Sequence, residues 1–153
     1  MHSTLQRLVD ANVPMELNPP ATPEAIAQFE QEQGIQFPEY YREFLLFANG
    51  GMLYSEDFFG IDSESEHFSL VKKNYSGEDT TRYFCKIPDS LYIVGCTGYG
   101  NPLCIDLKSQ EFVNWEHETS EEWYRLTSLF DYIDQTIDGY EEEQALQKIR
   151  KTS

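Results

Sequence analysis

Residues 23–51 read PEAIAQFEQEQGIQFPEYYREFLLFANGG, and their pattern predicts two consecutive helices. Thr22 is a good N-cap, Pro23 suits the first helical position and Glu24 complements the helix dipole. Gly34 ends this first helix, because glycine adopts the left-handed conformation of a C-terminal cap without steric cost. The stretch therefore predicts a helix from Pro23 to the residue before Gly34.

A second helix begins at Pro38 in the same stretch. Its apolar residues follow a helical spacing of i, i+3, i+4 and i+7, which predicts that one face lies in the core. They are Tyr41, Phe44, Leu45 and Ala48. The helix ends at 49–51, because Asn and Gly tolerate positive φ.

After residue 51 the apolar pattern favours strands. Two short strands, 52–54 and 58–61, are expected around an acidic turn, Ser55-Glu56-Asp57. A β-meander is expected over residues 87–117. Its strands are 91–96, 103–107 and 111–115, with turns at 98–102 and 108–110.

The remaining segments are less regular. Residues 2–12 predict a short helix, 18–20 a linker, and 62–80 a variable stretch with a loop at 76–79. Thr119–Glu122 and Ser128–Asp131 have capping-box spacing, so 120–138 predicts either one long helix or two successive helices. Gly139 is expected to break it, and 141–151 to form a polar helix or tail.

The composition limits the function classes. The chain of 153 residues has the size of a single domain and a net charge of −16, from 27 acidic and 11 basic residues. This charge repels nucleic acid and anionic membranes and attracts a basic protein, although acidity can also serve solubility alone. No apolar run approaches the length of a membrane span, and the N-terminus lacks a secretory h-region, so we expect a cytoplasmic protein.

Residues that could carry chemistry form no recognisable catalytic or metal-binding pattern. Cys85, Cys96 and Cys104 match no common zinc or redox spacing, and Glu116-His117-Glu118 would alternate faces on a strand. The glycines at 95, 98 and 100 predict a hairpin turn and not a phosphate cradle, since no helix follows them. We therefore expect neither an enzyme nor a cofactor or metal.

Exposed aromatic side chains are the better interface candidates, since Tyr and Trp are favoured anchors of protein contacts. The candidates are Tyr92, Tyr99, Trp115, Trp123, Tyr124 and Tyr140. Tyr99 stands between two glycines in a turn, so we expect its side chain to face solvent. The others could equally fill the core.

The motifs along the chain resemble those of the SUKH superfamily, and more closely its branch with the yeast cell-wall-assembly-regulator domain. The first block is Phe29-Glu30, Gly34-Ile35, Phe37-Pro38, Tyr41-Arg42, Phe44-Leu45 and Asn49-Gly50-Gly51. Later blocks follow in the same order as in the family. They are Ile87-Pro88-Asp89, Ile93-Val94-Gly95, Gly100-Asn101, Cys104-Ile105-Asp106, Trp115-Glu116-His117 and 128–133.

This resemblance implies a single α+β domain over residues 1–153, with helices packed on a mixed, mostly antiparallel sheet. The SUKH-like core would cover 20–138, preceded by an N-terminal helix and linker at 1–19 and followed by a polar helix or tail at 139–153. Many bacterial members look like immunity proteins that neutralise polymorphic toxins, often nucleases, and others look like regulatory interaction domains. The family implies no shared set of catalytic residues.

Charge and resemblance together suggest an immunity protein that occludes a basic toxin domain. The alternative is a cytosolic regulatory or scaffolding module with a non-toxin partner. The proposed partner-binding residues, chosen for their expected exposure, are Gly98, Tyr99, Gly100 and Asn101 in one turn, and Glu56 and Asp57 in the acidic loop.

Overall fold

The computed structural model describes residues 1–61, 69–75, 77 and 80–152. It contains six helices and seven strands within these residues. The helices are α1 Ser3–Asp10, α2 Pro23–Gln33, α3 Glu39–Phe47, α4 Leu70–Lys73, α5 Thr81–Phe84 and α6 Leu129–Thr152. The strands are β1 Met15–Leu17, β2 Gly51–Leu53, β3 Glu56–Phe58, β4 Leu91–Cys96, β5 Pro102–Asp106, β6 Phe112–Glu116 and β7 Glu121–Leu126.

The seven strands form one sheet in which each strand pairs with the next along the chain. All six strand pairings are antiparallel. The one parallel contact in the described residues is an isolated bridge between Gly60 and Ser69. The expected α+β architecture is confirmed, and the sheet itself is a pure antiparallel meander.

Helices α2 and α3 form as their local signals predict. The side chain of Thr22 accepts a hydrogen bond from the N–H of Ala25 at 3.1 Å, and Gly34 ends α2 with a φ of 65°. Glu30 joins the two helices, because its carboxylate accepts the N–H of Phe37 at 2.7 Å and an N–H of Arg42 at 2.9 Å.

The core lies on both faces of the central strands, since every residue of β5 is buried. On one face, α3 contributes Tyr41, whose hydroxyl donates to the carbonyl of Phe59 at 2.9 Å, and α6 contributes Tyr132 against Phe112. On the other face, the indole N–H of Trp115 donates to the carbonyl of Cys85 at 2.8 Å. This double cover explains why β4 and β5 lack the polar alternation of a half-exposed sheet.

The predicted helix over 120–138 is partly wrong. Residues Glu121–Leu126 form β7, which pairs with β6 from Glu116↔Glu121 to Phe112↔Leu126. Ser120, within the presumed capping box, has a φ of 55° and belongs to the hairpin turn instead. Backbone pairing to β6 outweighs the local capping signal, because tertiary contacts override weak propensities.

The helix that follows begins at the second capping signal and does not stop at Gly139. Ser128 accepts from the N–H of Phe130 at 3.1 Å, and its own N–H donates to Asp131 at 3.2 Å. A glycine costs an α-helix only about 1 kcal/mol, so contacts on either side carry α6 through Gly139. The expected break is wrong, and residues 139–152 continue as helix.

The N-terminal segment is part of the same fold. Thr4 of α1 donates to the carboxylate of Asp134 on α6 at 3.1 Å, and Arg7 bridges Asp134, Asp138 and Glu141. Residues Met15–Leu17 pair with β2 as the first strand of the sheet. The region 1–19 therefore contributes a strand as well as the predicted helix.

The variable stretch expected at 62–80 is only partly described. Its residues 62–68, 76 and 78–79, which include most of the predicted loop at 76–79, lie outside the described residues. Within the described part, Leu70–Lys73 form α4. The side chain of Ser69 caps this turn by accepting from the N–H of Lys72 at 3.3 Å.

Candidate functional site: an acidic hairpin rim

Three hairpin turns meet at one end of the sheet. They connect β2 to β3, β4 to β5, and β6 to β7, and alternate turns of an antiparallel meander share an end. We call residues 54–57, 97–101 and 116–121 the hairpin rim. It unites the two separate predicted segments, since Asp57 pairs with Cys96 just before the β4–β5 turn.

The central turn of the rim displays Tyr99. The N–H of Gly100 donates to the carbonyl of Thr97 at 3.0 Å, and the N–H of Thr97 donates to the carbonyl of Asn101 at 2.9 Å. Gly100 has a φ of 91°, a conformation that L side chains rarely adopt. Tyr99 is 89% exposed, which confirms the expectation that it faces solvent.

Asn101 turns its side chain inward and joins two turns of the rim. Its Oδ1 accepts the backbone N–H of His117 at 3.2 Å and lies 2.6 Å from Nδ1 of the same histidine. With 5% exposure, Asn101 cannot present its amide to a partner. Its place in the rim is structural, whereas the neighbouring Gly98 and Gly100 are exposed.

Glu56 and Asp57 occupy strand β3 and not the loop that the sequence predicted. Both residues are half-buried. Burial raises the pKa of Glu56, opposed by hydrogen bonds that the hydroxyls of Tyr132 and Ser55 donate to its carboxylate. The two-residue turn consists of Tyr54 and Ser55 instead, because Leu53 pairs directly with Glu56.

The charged side chains of the rim are all acidic, so its charge is negative. Its sequence contains five carboxylates and no Lys or Arg. They are Glu56, Asp57, Glu116, Glu118 and Glu121. Tyr54 links this group to α6, since its ring packs edge-on against Tyr140 with centroids 5.4 Å apart and its hydroxyl donates to Glu143.

The other aromatic candidates divide between core and surface. Tyr92 and Trp115 are buried, and Tyr124 and Tyr140 are half-buried. Trp123 is exposed on the edge strand β7. The sequence pattern alone could not separate the buried from the exposed aromatic residues. Each stands in an aromatic-rich segment, and which face of that segment is buried depends on long-range strand register.

A second group of exposed aromatics was missed by the sequence analysis. Tyr75, Tyr83 and Phe84 are between 59% and 68% exposed, and the rings of Tyr83 and Phe84 lie 5.5 Å apart. They flank or belong to the short helices α4 and α5, in the stretch that offered no interpretable pattern. Their only sequence signal is the density of Tyr, Phe and Lys over residues 71–86.

The three thiols are held in their protonated form. Burial raises the pKa of Cys104 to about 12 and raises the pKa values of Cys85 and Cys96 above the ordinary value for a thiol. A nucleophilic or metal-binding cysteine needs the thiolate, which these surroundings disfavour.

Three further features concern metal binding, membrane insertion and ligand binding elsewhere in the molecule. Over residues 1–61, 69–75, 77 and 80–152, no group of three or more His, Cys, Asp or Glu side chains could hold a metal ion. In the same residues, no helix combines the length and apolar character needed to span a bilayer. An open groove of about 690 Å³ lies between α1 and α3, remote in sequence from the rim, and is lined by residues such as His2, Leu5 and Phe47.

Comparison with solved structures places the fold among known ones. One similar chain is described as a protein from Pseudomonas syringae pv. tomato. It superposes with a TM-score of 0.65 at 16% sequence identity, over 85% of this chain and 92% of the other. At this identity the likeness shows the fold alone. No curated protein matches the chain.

A family model covers α2 to α5, the start of α6 and strands β2 to β7. It matches residues 20–135, from the linker before α2 to the second turn of α6, which is well over half of the chain. The matched range contains the first motif block and every turn of the rim, and it leaves out α1, β1 and residues 136–152 of α6. The chain belongs to the SMI1 / KNR4 family (SUKH-1).

Proposed function

We propose that this chain is a non-catalytic protein-binding domain that acts as a cytoplasmic immunity protein. It binds a basic polymorphic toxin domain, such as a nuclease, and occludes the active site of that domain stoichiometrically. Family membership supports the binding role. The observation that carries the proposal is the hairpin rim, where an exposed tyrosine stands among carboxylates on a rigid sheet end.

The rim has the composition expected of a surface for a basic partner. An exposed aromatic ring such as Tyr99 supplies contact area at low entropic cost, which is why Tyr is enriched at interface centres. The surrounding carboxylates steer a positively charged partner toward it and raise the association rate. Both features occur together on one surface, as occlusion of an active site requires.

The rim is also rigid, which favours tight binding. Each of its turns is closed by strand pairing, and the Asn101–His117 contact fixes two turns relative to each other. A surface that is already ordered loses less conformational entropy when a partner binds. A neutralising complex has to dissociate slowly. Tight binding provides this, because affinity differences among related complexes lie mainly in the dissociation rate.

Catalysis by this chain is a weaker hypothesis. The buried thiols favour the unreactive protonated form. Among the residues that the structure describes, the rim carboxylates stand beside no histidine other than His117, which Asn101 holds. An acid–base mechanism needs groups whose pKa values are pushed apart within a cleft. These observations support binding over a reaction on a substrate.

A regulatory or scaffolding module is the second candidate. The exposed group of Tyr75, Tyr83 and Phe84 favours it, because a scaffold needs a second surface for a second partner. This group lies in a segment that carries Lys72, Lys73 and Lys86, so its charge differs from that of the rim. An immunity protein needs only one of the two surfaces.

The proposal is tested by co-purification with a candidate toxin domain, one encoded next to the gene of this chain. Tagged protein is captured from cells that express this domain, at low and at high salt, and survival of those cells is scored. We expect a one-to-one complex that protects the cells and weakens at high salt. Absence of both complex and protection would contradict the immunity role and favour the scaffolding module.

A further inference from the structure

The last two turns of α6 extend from the body of the domain. Tyr140 and Gln144 are the last half-buried positions, and residues 145–152 are all exposed. The helix nevertheless continues to Thr152. A free helical end of this kind is stable only marginally by itself, so contacts with another surface would stabilise it.

Two large apolar side chains lie on the outward side of this end. Leu146 is 46% exposed and Ile149 is 62% exposed, and they stand three residues apart, on one helix face. At 3.6 residues per turn they point away from the side that Tyr140 and Gln144 bury. The apolar pair is thus presented to solvent and not to the domain's own core.

The charges beside this pair are self-complementary. Residues 141–152 contain three Glu, at the start, and three basic residues, toward the end, so this segment has no net charge in a chain of −16. Glu142 and Arg150 lie on the same outward side, one turn before and one turn after Leu146. If a second copy of the helix runs antiparallel across Leu146, Glu142 of each copy faces Arg150 of the other.

The contacts within one chain leave this side available. Glu141 accepts a hydrogen bond from Arg7 at 2.9 Å and Glu143 accepts one from the hydroxyl of Tyr54, both toward the domain. Arg150 also interacts within its own chain, and a guanidinium has five N–H donors with which to bind more than one group. The contacts of Glu141 and Glu143 therefore stay in place when the outward side pairs.

We propose that the outward face of α6, formed by Glu142, Leu146, Ile149 and Arg150, docks antiparallel onto the same face of a second copy of this chain. The contact is isologous, so it closes as a two-fold dimer. It buries two short helix faces only and lies at the small end of protein interfaces, which makes the dimer weak and dependent on concentration. This inference does not rest on the proposed immunity function.

The first test measures the mass of the full chain by sedimentation equilibrium over a range of concentrations. We expect reversible dimerisation, and we expect the double substitution Leu146→Gln, Ile149→Gln to abolish it. Val9→Gln is the matched control, because Val9 is a helical residue of α1 with 42% exposure. Circular dichroism verifies that each variant keeps its helix content. A wild-type chain that stays monomeric up to about 1 mM would overturn the proposal.

The second test exchanges charges. Glu142→Lys and Arg150→Glu each place like charges opposite each other twice per dimer, so each should weaken self-association about tenfold or more. Mixing the two variants places opposite charges at both contacts, and a heterodimer should form at the wild-type affinity. The double variant should again dimerise with itself. A dimerisation constant that is unchanged by the single substitutions, or a mixture of the two variants that forms no heterodimer, would show that another surface is used. Either result would overturn the proposal.

Discussion

Oδ1 of Asn101 lies 2.6 Å from Nδ1 of His117 and 3.2 Å from the backbone nitrogen of the same residue. The backbone N–H can only donate, so the atom facing it is the amide oxygen, and Nδ1 of His117 carries the proton that this oxygen accepts. One buried side chain thereby fixes the β6–β7 turn against the β4–β5 turn. The presentation of Tyr99 depends on this contact.

Asn101→Ala removes the acceptor of both bonds. It leaves the N–H groups of His117 without a partner, and we expect a loss of about 1–3 kcal/mol in the free energy of unfolding, measured by urea denaturation. Asn101→Asp retains the acceptor oxygens and should lose clearly less. Equal stability of the two variants would mean that the contact does not hold the turns together.

Substitutions at two glycines test where α2 ends and whether α6 is continuous. An added methyl group would meet no atom within 4 Å at either Gly34 or Gly139, so only the backbone conformation distinguishes them. Gly139 lies inside α6, and Gly139→Ala should stabilise the protein by about 0.5–1 kcal/mol. Gly34 has a φ of 65°, and Gly34→Ala should destabilise it by about 1 kcal/mol. Thermal unfolding of both variants gives the comparison, and destabilisation by Gly139→Ala would argue that α6 is interrupted there.

The Asp106–Arg125 pair predicts a dependence of stability on pH. Burial alone would raise the pKa of Asp106, but bonds from Arg125 at 2.7 Å and from the N–H groups of Lys108 and Ser109 hold it below 3.8. A lowered carboxyl pKa contributes stability above the unfolded value of about 3.9, and this contribution is lost as the pH falls through the folded pKa.

Arg125→Met should therefore lower the free energy of unfolding at pH 7. When the pH is lowered, this variant should lose less stability than the wild type does. The free energies of unfolding of wild type and variant should converge as the pH falls below about 4, the unfolded pKa of an aspartate. Lys108→Met is the control, since it removes a nearby cation and keeps the backbone N–H that bonds Asp106. A constant gap between wild type and Arg125→Met at every pH would contradict the assignment.

The rim carboxylates predict an effect on association kinetics. Glu118→Gln with Glu121→Gln should slow the association with the toxin domain several-fold at low salt and change its dissociation little, because exposed charges act mainly by steering. Glu16→Gln with Glu24→Gln changes the net charge equally at exposed positions of β1 and α2. Surface-plasmon kinetics at two salt concentrations compare the pairs, and an equal effect of both would assign steering to net charge and not to the rim.

Local signals determined the parts of the fold that could be predicted. The cap at Thr22, the αL residue Gly34 and the spacing from Tyr41 to Ala48 each act within a few residues, so α2 and α3 followed from them. The predicted strands 91–96 and 111–115 likewise showed apolar runs bounded by turn residues, and they correspond to Leu91–Cys96 and Phe112–Glu116 in the structure. The helix predicted over residues 121–126 was wrong, because Thr119–Glu122 satisfies a helix-capping spacing. The pairing with β6 that these residues form instead is a contact between two strands, which a local pattern does not show.

The candidate site was only half predictable for the same reason. Tyr99 could be predicted to be exposed from its glycine neighbours alone. The turn of Tyr99 packs closely on the neighbouring turns, since a Cβ added at Gly98 would lie 3.1 Å from the carbonyl oxygen of Ser55. This contact with Ser55, and the one with His117, depend on the register of six strands. No local sequence pattern contains that register. Since β7 was taken for a helix, the third turn of the rim was absent from the prediction.

The central claim is that the hairpin rim binds the proposed partner, and calorimetric titration of the candidate toxin domain with Tyr99→Ala tests it most directly. Tyr75→Ala is the matched control, because Tyr75 is 68% exposed and lies outside the rim. We expect Tyr99→Ala to weaken binding about tenfold or more with an unchanged melting temperature, and Tyr75→Ala to bind as the wild type does. Unchanged binding by Tyr99→Ala together with a loss in Tyr75→Ala would contradict the account and assign the interface to the α4–α5 surface.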